Sequence, residues 1–433
     1  RLTAESIVRL LLEQSGSAIA SPLGGDVKLS LYGANPVEVS GDVATVNLAA
    51  SALQLDRKTL YLVSQAITNT LTELENIQYV NTLVTDKSIA LDLASTLPAG
   101  ALTRSMGEDI GALYEQQLSR RVQSGENAAE KLLTETATLY FPLKEINGVM
   151  AEARNITFSS MEPGDMAVTL MQEISNGAAV VQGSPALSLL TEYLLTAPLI
   201  SEPPNIGGNL ITLEFSYLLD EMLHAAGVSR ASLMAALCYT LTTFLPNVAG
   251  IEVYIDSELV EHVMLGSTSG ILFENGIQKR ADFAALLMDN STLYFADSAG
   301  QKLKETSRPI PFYRTSNSRA LLNELFKGPS AEDSAQDVQA IIPAGILKDS
   351  DIIGISLDGD TLLVNFSNAF LTAGQGLSEE EDRLLAYSLV NTLLHAANAK
   401  RVAFFVGGNQ IDGFTEEISW KGWFLENLGI VAD

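Results

Sequence analysis

The sequence predicts an α+β fold built from three tandem copies of one small domain, each a two-layer sandwich with two helices on one face of a small sheet. The first observation behind this prediction is a unit of helix, short break and strand that occurs three times: Asp56–Val84, Ser229–Ile255 and Ser378–Val406. The second is a Thr-Leu pair that recurs in the second half of each helix: Thr70-Leu71, Thr240-Leu241 and Thr392-Leu393. A repeat of this length is typical of tandem domains.

The third observation is that the periodicity of the apolar residues agrees between the copies. In the second helix Leu233, Leu237, Leu241 and Phe244 lie at i, i+4, i+8 and i+11, which is one face of an α-helix. The other two helices repeat this spacing. Each following strand alternates apolar and other residues, as expected of a strand with one face buried.

Composition limits both fold and function. The 433 residues are enough for about three domains, and 52 Asp and Glu against 26 Lys and Arg give a net charge of −26. Such an excess of negative charge repels nucleic acids and anionic lipid surfaces. The single cysteine, Cys238, excludes an internal disulfide, and we expect a small buried thiol. No run approaches the ~20 apolar residues that a membrane-spanning helix needs.

The first copy is predicted to begin inside a helix, Ala4–Gln14, and to lack its leading strand, which we expect upstream of residue 1. Its glycines, alternating residues and helical stripe predict these further elements in order: a glycine-rich passage at Gly24-Gly25, a hairpin over 36–48 that turns at Ser40-Gly41-Asp42, a helix from Asp56, a strand Val80–Val84, an extended tail over 98–105, and a polar helical linker Glu108–Leu133.

The second and third copies begin with the same four letters, TLYF, at Thr138 and at Thr292. The matching elements that follow are first helices at Asp165–Ser175 and Ser318–Lys327, hairpin turns at Gly207-Gly208-Asn209 and Asp358-Gly359-Asp360, and tails over 268–275 and 419–426. Pro203-Pro204 makes the first strand of the second hairpin irregular or an edge strand. We therefore predict domains at 1–136, 137–288 and 289–433, each of the form β-αββαβ.

The third copy resembles the GerM domain, a family named for spore germination and sporulation. The motifs that carry the resemblance are Lys327-Gly328-Pro329, the Ile342–Gly345 loop, the DGDTLLVNFS stretch at 358–367 and the RVAFFVGG stretch at 401–408. The second copy follows the same order but departs at Asn176-Gly177 and in its hairpin. The first copy matches from its helix onward.

The resemblance implies a protein outside the cytoplasm of a sporulating Firmicute, often a membrane-anchored lipoprotein. It also implies a relation to ring-building αββαβ modules that assemble between mother cell and forespore. The family is not known for enzymatic activity and supplies no catalytic residue to transfer to this chain.

The residues themselves offer little chemistry. The three histidines, His224, His262 and His395, have no second ligand at metal-binding spacing, so we expect structural roles. The Gly266–Gly270 segment resembles a nucleophile elbow only superficially, because its centre is Thr268 and no strand–turn–helix surrounds it. We predict no catalytic residue, no cofactor-binding residue, no metal ligand and no cofactor.

Two further groups leave alternatives open. Four aspartates could hold Ca²⁺, but hairpin turns explain some of them and the spacing of a calcium loop is missing: Asp349, Asp351, Asp358 and Asp360. Trp420 and Trp423 could stack on a sugar, although core or interface positions on the terminal strand are the simpler interpretation.

We therefore expect a non-enzymatic, extracytoplasmic structural or interaction protein of the bacterial envelope, linked to sporulation or germination. The alternative is a ligand-binding module for a cell-wall glycan or germinant, or a sensor accessory lipoprotein. Expected partners are envelope or sporulation proteins, self-assembly included, with no nucleic acid and with membrane contact only through an N-terminal anchor. A wall hydrolase would need a nucleophile–base pair that the sequence does not offer.

Overall fold

The computed structural model describes residues 3–13, 27–92, 97–105, 109–122, 133–187, 190–335, 337–397, 399–416 and 418–432. The predicted passage at Gly24-Gly25 and part of the linker Glu108–Leu133 lie outside these residues. The chain divides into two compact units, Thr3–Met288 and Asp289–Asp433. The first and second copies of the repeat therefore share one unit, and the third copy forms the other; the division into three domains stays a prediction.

The first copy has a four-stranded sheet in the order β1-β2-β3-β4. Its elements are α1 (Ala4–Glu13), β1 (Val37–Ser40), β2 (Val43–Leu48), α2 (Arg57–Leu71), β3 (Tyr79–Val84), β4 (Lys87–Ser88) and α3 (Ile110–Val122). The helices bury one face of the sheet in an apolar core that includes Val46, Leu60 and Val63.

The second copy opens with a two-stranded hairpin and then forms a sheet in the order β10-β9-β8-β7, with β13 also paired to β9. Its elements are β5 (Leu133–Pro142), β6 (Val149–Phe158), α4 (Pro163–Ser175), β7 (Leu199–Ser201), β8 (Asn209–Phe215), α5 (Leu218–Ala226), α6 (Arg230–Phe244), β9 (Val248–Ile255), β10 (Glu258–Leu259), β11 (His262–Met264), β12 (Gly270–Leu272) and β13 (Ile277–Gln278).

The third copy repeats this plan with sheets in the orders β15-β14-β16 and β17-β18-β19-β20. Its elements are β14 (Met288–Asp297), β15 (Leu303–Pro311), α7 (Ser318–Phe326), α8 (Ala331–Ser334), β16 (Val338–Gln339), β17 (Ile352–Asp358), β18 (Thr361–Phe366), α9 (Asn368–Ala373), α10 (Glu379–Ala396), β19 (Arg401–Val406) and β20 (Asn409–Gln410).

The three main sheets have the same topology. In each, a parallel central pair lies between antiparallel neighbours, and the central pairs are β2–β3, β8–β9 and β18–β19. A long helix makes the crossover connection that a parallel pair requires. The predicted α+β class is thus observed, and the recurring helix–strand unit is this crossover.

The Thr-Leu pair also has a structural reason. The Thr240 hydroxyl accepts a hydrogen bond from the backbone N–H of Tyr140 at 2.9 Å, and the Thr392 hydroxyl accepts one from Tyr294 at 3.2 Å. In both copies the threonine therefore holds the TLYF strand onto the long helix. The first copy has no such strand among its described residues, and the Thr70 hydroxyl donates to Ala66 O of its own helix instead.

The layering differs from the prediction in one respect. The leading TLYF strand does not enter the main sheet; it pairs in a hairpin of its own that covers the other side of the helices. Helix α6, predicted to be amphipathic, is consequently buried on every side, from Ala231 to Phe244. A helix between two sheets has no solvent face, which explains why it carries no charged residue from Ala231 to Phe244.

The predicted tail of the second copy is wrong. In the first and third copies the tail pairs with the strand that follows the crossover helix, β3 or β19. The paired residues are Val80↔Leu102 and Val402↔Phe424. The matching pair in the second copy is Ile251↔Gln278, not a residue of 268–275. The reason is an inserted hairpin, β11–β12, that occupies 262–272. The short helices α5 and α9 were also missed.

Candidate functional site

The residues singled out for catalysis do not come together. His224 lies in α5, His262 in β11 and His395 in α10, and the first two are exposed. Within the described ranges no group of three or more His, Cys, Asp or Glu side chains could hold a metal ion. The Gly266–Gly270 segment forms the turn between β11 and β12, whereas a nucleophile elbow joins a strand to a helix.

The four aspartates serve local structure. Asp349 accepts hydrogen bonds from Asn323 at 2.6 Å and from Arg319 at 3.2 Å, and these two contacts lower the pKa of its carboxyl. Asp351 accepts from the Ser367 hydroxyl at 2.8 Å, and Asp360 pairs with Arg401. Asp358 and Asp360 flank the tight turn between β17 and β18, as the hairpin interpretation predicts.

The two tryptophans have opposite environments. Trp420 is fully buried, and its indole N–H donates to the carboxylate of Asp382 at 2.7 Å. Trp423 is 53% exposed, with the guanidinium of Arg401 lying 4.8 Å from its ring centre. Trp420 is therefore a core residue, while Trp423 belongs to the surface described below.

A buried ion pair joins the first and second copies. Arg280, 4% exposed, donates to Glu38 of β1 at 2.7 Å and lies 4.4 Å from the ring centre of Tyr239. Burial raises the pKa of the Glu38 carboxyl, and the charge of Arg280 opposes that shift. Arg280 belongs to the second copy and Glu38 to the first, so this ion pair holds the two copies together.

The same joint covers one face of the first sheet. The hairpin β5–β6 lies on the side of β2–β3 that faces away from α1 and α2. Asn81 donates to the Thr138 hydroxyl at 2.8 Å, and the hydroxyls of Thr45 and Tyr140 are 3.4 Å apart. The tail of the first copy takes part as well, because the backbone N–H of Ala101 donates to Thr136 O at 2.9 Å.

The equivalent face of the third sheet is open. By the matching registers, Leu363 takes the place of Thr45, Ala403 that of Asn81 and Trp423 that of Ala101. Leu363 and Phe405 are half-buried there, and Trp423 and Leu425 are 53% and 54% exposed. We call Leu363, Phe405, Trp423 and Leu425 the open face.

The open face is unusual because large apolar side chains are exposed on it. The covered face of the first sheet carries Thr45 and Asn81 beside the apolar Val43 and Leu83, while the open face carries two aromatic rings and two leucines. The matching positions of the second sheet include Thr212, Glu252 and Tyr254, which suit water. Apolar groups that cluster on a surface mark a contact site. Sequence reasoning missed it, although aligning the copies strand by strand would have revealed Leu363 in place of Thr45 and Ala403 in place of Asn81.

A second concave feature lies in the third copy, between α7 and the loop that precedes β17. This cleft has a volume of about 510 Å³, with Ile310 and Leu347 in its lining and the cations Arg314, Lys327 and Lys348 around it. Lys327 is paired with Glu324 at 2.6 Å. The volume of the cleft is within the range of small-molecule ligand sites.

Comparison with known proteins finds a family that is similar to the third copy. A family model described as "Germane: Sporulation and spore germination" matches residues 292–412. This stretch is less than half of the chain, and it is similar to that family, so the GerM resemblance predicted from the sequence is confirmed. No curated protein matches the chain.

Several solved structures are similar. The tandem GerMN domains of the sporulation protein GerM from Bacillus subtilis are 17% identical, cover 64% of this chain and 92% of their own, and give a TM-score of 0.23. The first GerMN domain of that protein is 17% identical, with 31% and 98% covered and a TM-score of 0.24. A Clostridium perfringens protein provisionally described as a lipoprotein is 18% identical, with 32% and 87% covered and a TM-score of 0.21.

Proposed function

We propose that this chain is a non-enzymatic interaction protein that acts outside the cytoplasm in spore formation or germination, held at a membrane as a lipoprotein, with the open face as its contact surface. The similarity of residues 292–412 to the Germane family supports the link to sporulation, because that process is in the family's description. The family resemblance supports the extracytoplasmic, anchored location. In the described part of the chain no helix is long and apolar enough to cross a membrane.

The observation that carries the proposal is the open face. Its four large side chains would each bury apolar area on contact, at roughly 25 cal/mol per Å². The first copy supplies a precedent, because there the same face of the same sheet is covered by a β-hairpin of the next domain. The partner we expect is an envelope or sporulation protein, or another copy.

The test is complementation in the organism that encodes the chain. A deletion strain is expected to show reduced sporulation or germination, wild-type protein to restore it, and a Leu363→Glu/Trp423→Glu variant to fail. The matched control is Leu272→Glu, a leucine 79% exposed on the β11–β12 hairpin. Normal spores from the deletion strain would overturn the sporulation role. Full rescue by the open-face variant would overturn the role of that face.

A second candidate function is binding of a cell-wall glycan. It is favoured by one observation, the exposed ring of Trp423 flanked by the Arg401 guanidinium, since sugars stack on aromatic faces. Titration with muropeptides should then quench Trp423 fluorescence and release heat. A Trp423→Ala variant isolates the signal, because Trp420 is buried and serves as the internal reference. No heat at millimolar ligand would dismiss this function.

A further inference from the structure

The outer edge of the third main sheet differs from the two equivalent edges. In the first copy the edge strand β1 is held by the second copy, through Glu38 with Arg280 and through Ser40, whose hydroxyl donates to Met288 O at 2.6 Å. In the second copy the edge strand β7 has only three residues and is followed by Pro203-Pro204. Short strands and prolines are standard protection against unwanted strand pairing.

Strand β17 has neither protection. It is seven residues long, contains no proline, lysine or arginine, and bears its first charge at Asp358. No backbone hydrogen bond outside the β17–β18 ladder involves residues 353–358 within the part of the chain that the structure describes. One bulge occurs, at the Ile352/Gly354 end, and it leaves Gly354–Asp358 in regular register with β18.

The side chains of β17 include an apolar residue that a neighbouring strand would cover. Ile355 pairs with Val364 and Leu357 with Leu362, and both partners are buried in the core under the helices. Paired residues share a face, so Ile355 and Leu357 also lie on the helix side. Leu357 is nevertheless 54% exposed. A further strand at this edge would extend the hydrogen-bonded ladder of the sheet and would also cover Leu357.

We propose that β17 pairs antiparallel with β17 of a second copy of this chain, joining two four-stranded sheets into one continuous sheet of eight strands. This inference rests on the proposed function as an interaction protein and names the partner at the third copy. A twofold axis uses the same strand twice and closes the assembly. The regular stretch Gly354–Asp358 is centred on Ser356, which sets the register: Ser356 faces Ser356 of the second copy, and Ile355 faces Leu357.

Charge at the edge itself does not oppose this occupant, and the apolar Ile355 and Leu357 of the two copies face each other there. With a net charge of −26, two copies repel each other over most of their surface. The stretch Gly354–Leu357 is uncharged. In the proposed register Asp358 faces Gly354, and the two copies of Asp358 lie about 13 Å apart at ~3.3 Å per residue, beyond the ~8 Å screening length of physiological salt. Within Gly354–Asp358 two acidic copies can therefore meet without two carboxylates placed directly opposite each other.

The first experiment is disulfide trapping in the full chain. Ser356→Cys places two thiols opposite each other at the twofold axis, within the ~4.4–6.8 Å Cα separation that a disulfide requires. The only native thiol, Cys238, is buried and stays out of the reaction. We expect Ser356→Cys to give a covalent dimer on mild oxidation. Ser350→Cys, an exposed serine off the edge, is the matched control and should remain monomeric.

The second experiment is sedimentation velocity from micromolar to near-millimolar protein. Wild type should pass from monomer to dimer, and Leu357→Glu should raise the dissociation constant at least about tenfold, because it puts a carboxylate in the pairing seam. Leu272→Glu should leave it unchanged. A monomer at every concentration would overturn the inference. A dimer that Leu363→Glu dissociates and Leu357→Glu does not would also overturn it, while supporting the proposed function through the open face.

Discussion

The Arg280–Glu38 pair gives the sharpest test of how the first two copies are joined. An Arg280→Met variant removes the guanidinium and leaves the Glu38 carboxylate buried without its partner. Breaking a buried pair in this way costs about 3–5 kcal/mol. For a unit of this size, at ~2 °C per kcal/mol, the melting temperature should fall by about 6–10 °C.

The double variant Arg280→Met/Glu38→Leu separates loss of the pair from loss of packing. It removes both charges and fills the site with apolar volume, so we expect stability within about 1–2 kcal/mol of wild type. The assay is urea unfolding and calorimetry on all four members of the double-mutant cycle. If the double variant is as unstable as Arg280→Met alone, the cost arises from the lost arginine stem and its ring contacts, and the reasoning from charge is refuted.

The stability of the single variant Arg280→Met has a predictable pH dependence. Burial raises the folded-state pKa of Glu38 above its ordinary value of 4.5, and without Arg280 it should rise further. A carboxyl with a raised folded pKa contributes its stability below the unfolded pKa and loses it as pH rises through the folded pKa. The free energy of unfolding that Arg280→Met loses relative to wild type should therefore be smaller at pH 5 than at pH 8. An equal deficit at both would contradict a charged, unpaired Glu38.

Three further outcomes are expected. Asp382→Ala should destabilise the unit 289–433 by ~3 kcal/mol or more and shift the emission of Trp420 to the red, since the buried carboxylate accepts four hydrogen bonds; unchanged urea unfolding would refute this. Thr240→Val should cost about 1–3 kcal/mol by leaving a buried N–H unpaired, and Thr70→Val less, as chemical unfolding of the pair will show. Gly276→Ala should lower the melting temperature, because its φ is +73° and a Cβ would lie 2.5 Å from a leucine side chain; an unaltered melting curve would contradict that geometry.

Most of each copy was predictable because its signals are local. The N-caps are examples: Ser378 accepts from the N–H of Glu381, while Ser229 and Asp56 cap α6 and α2 as serine and aspartate before a helix should. Periods of 3.6 and 2 in the apolar residues predicted the long helices and the strands after them.

The errors arose where distant segments decide the structure. The tail of the second copy was misplaced because the inserted hairpin β11–β12 has the same alternation as a tail, and only the Ile251↔Gln278 pairing distinguishes the two. The covering of the first sheet depends on Asn81 meeting Thr138, 57 positions along the chain. A single polar residue in a strand does not reveal whether it faces water or a partner domain. The open face could be recognised only after the covered one was known.

The partly polar character of the first sheet's covered face also bears on how the chain is made. The first copy is synthesised before the hairpin β5–β6 that covers it, so this face is exposed to solvent during synthesis. Thr45 and Asn81 make this face partly polar in that interval, beside the apolar Val43 and Leu83, and so reduce the apolar area that could contact a wrong partner. Helix α6, which is buried on every side in the folded unit, is synthesised after the first copy. Exchanging the order of the first two copies in the gene should therefore give aggregation during synthesis.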